Sequence, residues 1–140
     1  MPDAHPDVET FLNTYQQALR EFDLERLGTL YSDAFLFAGP AGAMPVTRSD
    51  FLRVVPRKRE SFTTLGVTSS RVRRFEAARL TEHYVIVKTV WELEFAPERA
   101  HAALEIAATY VLQRHQDSFR VVLQLDHQDL AKAVLDSVGG

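Results

Sequence analysis

The spacing of apolar residues changes at Gly66, from the three-and-four spacing of helices to the alternation of strands. Four strand-like segments follow, at about 67–79, 83–96, 102–115 and 119–128. In the second segment, inward and outward positions alternate: Val85, Val87, Thr89, Trp91, Leu93 and Phe95 against Lys88, Glu92 and Glu94. Long consecutive strands joined by short turns predict an antiparallel meander that is buried on at least one face.

The residues before this change predict helices that pack against the sheet. Pro6 opens the first helix with Asp7 as its N-cap, and its apolar stripe is Val8, Phe11, Leu12, Tyr15, Ala18, Leu19 and Phe22. Asp23 is predicted to cap a second helix. Its buried stripe is expected to be Leu24, Leu27, Leu30 and Tyr31. Residues 34–38 then predict a short apolar strand.

Two further helices are predicted. Thr47 and Asp50 form a pattern similar to a capping box, at the start of a helix that Pro56 should kink or restart. Residues 129–138 predict a short final helix.

Helices first and a long meander after them are typical of an α+β fold. The economical packing is a curved antiparallel sheet of four to six strands wrapped around the N-terminal helices on its concave side. With 140 residues, the chain is expected to form a single domain, 1–140. The third strand segment is apolar on both faces: Leu104, Ile106, Tyr110 and Leu112 on one, Ala107 and Val111 on the other. We therefore expect a second copy to cover the convex face and form a homodimer.

Composition argues against several classes of protein. The chain has no cysteine, which excludes disulfides, thiolate nucleophiles and cysteine-ligated zinc. Its five histidines show no metal-binding spacing, so neither a metal nor a cofactor is expected. A net charge of −3 argues against nucleic acid as a partner. No apolar run is long enough to span a membrane, and the acidic, proline-rich start does not resemble a signal peptide, so a cytoplasmic protein is expected.

Two stretches carry a family resemblance. Residues 15–27 read YQQALREFDLERL and are followed by LYSD at 30–33 and by Phe37 and Pro40. Residues 109–122 read TYVLQRHQDSFRVV. Together they resemble the NTF2-like superfamily, which includes ketosteroid isomerases and SnoaL-like polyketide cyclases, over roughly residues 7–130. The resemblance implies a cone with an interior pocket for a small apolar or aromatic molecule. Because this fold hosts unrelated chemistries, the function has to be argued from the site.

The resemblance aligns Tyr15 with the tyrosine that donates a hydrogen bond to a developing enolate in isomerase-like members. A phenol in an apolar cavity is a strong neutral donor, so this role is chemically sound. The isomerases' carboxylate base, however, falls at Gly39, and their second acid falls near Val111. Steroid isomerisation is therefore not expected. The alternative interpretation is that Tyr15 is a core residue of an amphipathic helix.

Asp126 and His127 end the last predicted strand, so their side chains must point to opposite faces. Val122, Gln124 and Asp126 are predicted to face the cone, and His127 the convex side. Cyclase-like members place an acid on this strand as a general base, and burial would raise the pKa of Asp126 toward that role. The alternative is that Asp126 is solvated or caps the final helix.

Large apolar side chains are predicted to form the walls or lid of the pocket. The ligand-binding residues are expected to be Phe37, Met44, Phe51, Trp91, Val111 and Gln124. Residues of this type at these spacings also suit an ordinary core. Two functions stay open: a small-molecule-binding domain, as a lyase, isomerase or cyclase using Tyr15 and Asp126, and a non-catalytic dimeric binding or protein-interaction domain.

Overall fold

The computed structural model describes residues 5–97 and 103–139. The elements in chain order are α1 (Pro6–Glu21), α2 (Leu24–Thr29), β1 (Tyr31–Gly39), β2 (Gly42–Thr47), α3 (Arg48–Thr64), β3 (Val67–Arg79), β4 (Tyr84–Phe95), β5 (Leu104–His115), β6 (Ser118–Asp126) and α4 (Leu130–Gly139). Part of the turn predicted between the second and third strand segments lies outside the described residues. Residue 102, the expected first residue of the third segment, also lies outside them.

A six-stranded sheet in the order β2-β1-β6-β5-β4-β3 forms one layer of the protein. Strands β3 to β6 pair antiparallel with their neighbours in sequence, which confirms the meander. β1 lies parallel to β6, so the prediction of a wholly antiparallel sheet is wrong at this pair. A parallel neighbour requires a long connection, and α3 together with the meander supplies it. The α+β class and the curved sheet with N-terminal helices are confirmed.

The helix starts follow local capping chemistry at most of the predicted positions. Asp23 accepts a hydrogen bond from the Arg26 backbone N–H at 3.0 Å, and the Thr47 hydroxyl accepts one from Asp50 at 3.2 Å. Asp7 is not the N-cap of α1, because Pro6 already occupies the first turn. Asp7 instead forms an ion pair with Arg114 at 2.9 Å.

Two helix boundaries differ from alternatives that the sequence allowed. Helix α3 continues from Arg48 to Thr64 through Pro56, so of the two outcomes expected there, a kink or a restart, the restart does not occur. Helix α2 ends at Thr29, and Tyr31 is the first residue of β1 instead of the last residue of a helical stripe. The Leu30 carbonyl accepts a hydrogen bond from the Val121 N–H at 2.8 Å, so pairing with β6 takes over the backbone at this point.

The core lies between α1 and the concave face of the sheet. Helix α1 contributes Val8, Phe11, Leu12, Tyr15 and Ala18, and the central strands contribute Val85, Val87, Trp91, Tyr110, Leu112, Phe119 and Val121. Burying each large apolar side chain stabilises the fold by roughly 1.5–3 kcal/mol. This packing fixes the face of α1 that carries Tyr15, and so fixes the site described below.

A β-bulge shifts the register in β6. Val111 pairs with Leu123 and Leu112 pairs with Val121, which leaves Val122 without a cross-strand partner on β5. Val121 therefore enters the core, and the prediction that Val122 faces the cone is wrong. Beyond the bulge, Gln124 and Asp126 share the face of Tyr110 and Ala108, as predicted.

Among residues 5–97 and 103–139, each helix is too short or too polar to cross a lipid bilayer.

Candidate functional site

A chain of side-chain hydrogen bonds links α1 to the end of β6. The hydroxyl groups of Tyr15 and Tyr31 are bonded to each other. Tyr31 then donates to Gln124 Oε1 at 2.6 Å, and Gln124 Nε2 donates to Asp126 Oδ1 at 3.2 Å. The chain therefore runs from a fully buried phenol to a carboxyl group at the rim of the cone.

The sheet register places the two polar residues of β6 on the concave face. Gln124 lies between Tyr110 of β5 and Phe37 of β1, and Asp126 pairs with Ala108. Because paired residues of adjacent strands point to the same side, both side chains lie on the concave face. Tyr15 is only 6% exposed and connects to them through Tyr31.

Aromatic rings fill most of the space around these hydroxyls. The Tyr15 ring centroid lies 6.0 Å from that of Tyr31, 5.8 Å from Trp91 and 5.9 Å from Tyr110. The Tyr31 ring lies 4.4 Å from Phe51. These tilted and edge-on contacts are the favourable arrangements for aromatic pairs, and they hold the hydroxyls in fixed positions. The Trp91 indole N–H is buried and makes no hydrogen bond to any part of the chain that the structure describes.

Burial sets the protonation of the site. It raises the pKa of the hydroxyls of Tyr15, Tyr31 and Tyr110 well above that of a free tyrosine, so all three are neutral donors at physiological pH. Burial also raises the pKa of Asp126 above its usual range. The hydrogen bond from Gln124, and then the charges of Lys58 and His127, act in the opposite direction and lower the pKa of Asp126.

The predicted site residues separate into three groups. Tyr15, Gln124 and Asp126 are joined in one chain, and Phe37, Phe51 and Trp91 pack around it. Met44 shares a face with Phe37 but is 59% exposed, so it lies at the rim and not in a buried wall.

Val111 does not join the site. It pairs with Ile86 and Leu123 on the opposite face from Tyr110, so the structure does not bring this predicted ligand-binding residue to the chain of Tyr15, Gln124 and Asp126. Strand alternation is the physical reason, because neighbouring residues of β5 cannot face the same side. His127 lies away from the chain as predicted, and its Nε2 is bonded to Thr109 Oγ1 at 2.7 Å. Asp126 does not cap the final helix, because Asp129 accepts the hydrogen bond from Lys132 there.

Sequence reasoning missed three residues of the site. Tyr31 was assigned to a helical stripe, and Tyr110 was recognised only as one member of an apolar strand face. Lys58 of α3 lies with Nζ 5.4 Å from the Phe37 ring centroid, and its charge acts on Asp126. The alternation of β5 could have placed Tyr110 near Tyr15, but no local signal predicts a contact between α3 and β6.

Two surface cavities lie away from this chain. One of about 420 Å³ is lined by Leu30 and the β5–β6 turn, and an adjoining one of about 250 Å³ lies against the start of α1. Neither is lined by Tyr15, Gln124 or Asp126. The hydrogen-bonded chain, with its convergent polar groups and raised pKa values, is the stronger functional candidate. Among the described residues, no group of three or more His, Asp or Glu side chains could hold a metal ion.

The fold matches that of several solved structures. An NTF-2 like protein of unknown function from Shewanella oneidensis superposes with a TM-score of 0.68 at 13% identity, over 91% of this chain and 100% of that one. A putative scytalone dehydratase from Novosphingobium aromaticivorans gives 0.63 at 12% identity, over 86% and 80%. A putative SnoaL-like polyketide cyclase from Shewanella denitrificans gives 0.60 at 17% identity, over 96% and 98%.

At these identities the structural likeness establishes the fold alone. No curated protein matches the sequence. Residues 5–129 match the family described as NTF2-like protein (DUF6841), which covers well over half of the chain. The chain therefore belongs to this NTF2-like family.

Proposed function

We propose that the protein binds a small, largely apolar carbonyl compound beside Asp126 and removes a proton from the carbon next to the carbonyl group. The observation that carries this proposal is a half-buried carboxyl group at the end of a hydrogen-bonded chain of neutral donors. A general base works best when its pKa approaches the working pH, and burial moves the pKa of Asp126 in that direction.

The proposed step is a proton transfer that needs no cofactor. The carboxylate of Asp126 takes the proton, the electrons of the broken C–H bond form a C=C bond, and the carbonyl electrons move to oxygen. Returning the proton to carbon regenerates the carboxylate. Loss of a leaving group or closure of a ring from the same enolate gives lyase or cyclase chemistry. The shared fold with a putative dehydratase and a putative cyclase agrees with this class of reaction.

Exchange of carbon-bound hydrogen tests the proposal without knowledge of the natural substrate. The protein is mixed in deuterium oxide with aromatic ketones such as tetralone and indanone, and loss of the α-proton signal is followed by proton NMR. We expect the wild type to accelerate exchange and Asp126→Asn to abolish the acceleration. Asp129→Asn is the matched control, since asparagine also caps a helix and Asp129 lies outside the chain. Equal exchange with Asp126→Asn and wild type would eliminate Asp126 as the base.

The alternative function is a non-catalytic dimeric domain, and one surface feature favours the dimer. On the convex face, a row of directly paired residues, one from each of the six strands, is apolar throughout. Its members are Pro45, Leu36, Leu123, Val111, Ile86 and Ala78. Leu36 is 38% exposed. A contiguous apolar face of this kind is typical of an interface, and a second copy of the same face can pair with it about a two-fold axis.

The oligomeric state tests this second proposal. In sedimentation velocity, we expect the wild type to be a dimer and Leu36→Glu to be a monomer. Leu80→Glu is the control, because Leu80 is 54% exposed but lies outside the apolar row. A monomeric wild type, or a dimer that survives Leu36→Glu, would refute the interface. A purely structural dimer would also show no α-proton exchange in the preceding assay.

A further inference from the structure

The orientation of the Gln124 amide follows from its two neighbours. Tyr31 donates its only proton to Gln124 Oε1, and Asp126, as a carboxylate, can only accept a hydrogen bond from Nε2. The flipped amide would set its oxygen against the Asp126 carboxylate, which has no proton to donate, whereas the Tyr31 hydroxyl could accept from the NH₂ group. The contact with Asp126 therefore selects the orientation, and in that orientation Tyr31 donates to Oε1.

The direction of the chain determines which protons remain for a ligand. Because the Tyr31 proton is used by Gln124, the bond between the two hydroxyls must use the proton of Tyr15. Neither phenol then keeps a proton for a bound molecule. The role expected for Tyr15, donation to a developing enolate, is not available while this chain is intact.

Within the chain a free donor remains only at Gln124, beside the Asp126 carboxylate; the buried Trp91 N–H lies outside the chain. The second Nε2–H of Gln124 and the Oδ2 atom of Asp126 have no hydrogen-bond partner within residues 5–97 and 103–139. The two residues lie at alternate positions of β6 and face the same side. They offer one donor beside one basic acceptor.

We propose that Tyr31 is a positioning residue that locks the Gln124 amide, so that the site presents Gln124 N–H and the Asp126 carboxylate together to its ligand. This pair fits a carbonyl compound with an acidic hydrogen on the neighbouring atom. The carbonyl oxygen accepts from Gln124 while the hydrogen points to Asp126. The inference rests on the proposed function and assigns its donor to Gln124 in place of Tyr15.

The carboxyl-carbon NMR titration of Asp126 tests the lock in the free protein. Removing the Tyr31 hydroxyl releases the amide, which weakens the N–H donated to the carboxylate, so Tyr31→Phe should raise the pKa of Asp126. Tyr15→Phe deletes a hydroxyl from the same cluster but leaves the bond from Tyr31 to Gln124 in place, so the pKa should stay near that of wild type. Gln124→Met removes the donor itself and sets the upper limit of the rise.

The other groups that act on Asp126 are constant across this series. Lys58 approaches from α3, His127 follows in the chain, and the tyrosines nearby stay neutral. We expect Tyr31→Phe to produce at least half of the rise caused by Gln124→Met. Equal shifts of the Asp126 pKa in Tyr15→Phe and Tyr31→Phe would overturn the lock. An unchanged Asp126 pKa in Gln124→Met would also overturn it. The Gln124→Met result decides the matter by itself if Tyr31→Phe does not fold.

The ligand side is tested by binding of tetralone, followed by changes in backbone amide NMR shifts. Gln124→Met should weaken binding by about tenfold, the ratio that corresponds to one hydrogen bond, while Tyr15→Phe should leave binding near wild type. A loss with Tyr15→Phe but not with Gln124→Met would return the donor role to Tyr15 and overturn the inference. These readouts need no turnover. They can therefore succeed even if Asp126→Asn shows that the protein is not a proton-transfer enzyme.

Discussion

A double-mutant cycle on Tyr15 and Tyr31 measures whether their hydroxyls depend on each other as members of one chain. Tyr15→Phe removes the bonds to Tyr31 and Tyr110, and the Tyr31 hydroxyl keeps its own acceptor in Gln124. We expect a cost of about 1–2 kcal/mol in the free energy of unfolding, the net value of one to two hydrogen bonds. Tyr31→Phe removes two bonds and leaves the buried Tyr15 proton without its acceptor, with only the Tyr110 hydroxyl beside it, which together should cost about 2–4 kcal/mol.

The double variant distinguishes a chain from two separate contacts. In the double variant the Tyr15 hydroxyl that Tyr31→Phe strands is itself absent, so the double variant should be about as stable as Tyr31→Phe alone. The coupling free energy should then be at least about 1 kcal/mol, well outside the scatter of roughly 0.3–0.5 kcal/mol seen for independent sites. Urea unfolding of the four proteins with a common m-value provides the measurement. Additive costs would refute the hydrogen bond between the two hydroxyls.

Three further outcomes follow from the structure. Burial raises the pKa of Asp126 in the folded chain, so the charged form opposes folding. Asp126→Asn should therefore be more stable than wild type at neutral pH. The stabilities of the two proteins should converge as the pH falls below the unfolded pKa of about 3.9. If the difference in unfolding free energy between the two proteins widened as the pH fell, this direction of the pKa shift would be contradicted. Lys58→Gln should raise the pKa of Asp126 in an NMR titration. Arg59→Gln should not, because the Arg59 guanidinium lies 4.2 Å over the Phe22 ring. Equal effects of the two substitutions would show only a general loss of positive charge. Gly28→Val should lower the free energy of unfolding, measured in urea, by about 1–3 kcal/mol, because a Cβ at Gly28 would lie 2.9 Å from Leu52 Cδ1. Unchanged stability would mean that the contact between α2 and α3 is loosely packed.

Much of the fold is encoded in local patterns. The apolar spacing of α1 and the alternation of β4 predict both elements, because each pattern reports the face that is buried. Asp23 and Thr47 mark helix starts through short-range hydrogen bonds. Such signals depend on residues only a few positions apart, so they can be read from the sequence.

Features that depend on distant contacts could not be predicted in this way. Tyr31 fits a helical stripe as well as a strand, and only its pairing with β6 decides between them. The bulge at Val122 reverses the facing of the residues before it, which alternation alone cannot show. Gln124 and Asp126 were predicted on the correct face. Their connection to Tyr15 through Tyr31 requires three elements that are far apart in the sequence.

Direct determination of the Asp126 ionisation constant in unmodified protein tests the central claim most simply. The carboxyl-carbon resonance of this residue, followed across acidic and neutral pH, should give a midpoint above the aspartate reference of about 3.9. That result would establish a partly desolvated base at the cone rim. A midpoint at or below the reference would mean that water or Lys58 stabilises the charge, and the proton-transfer role would then have no physical basis.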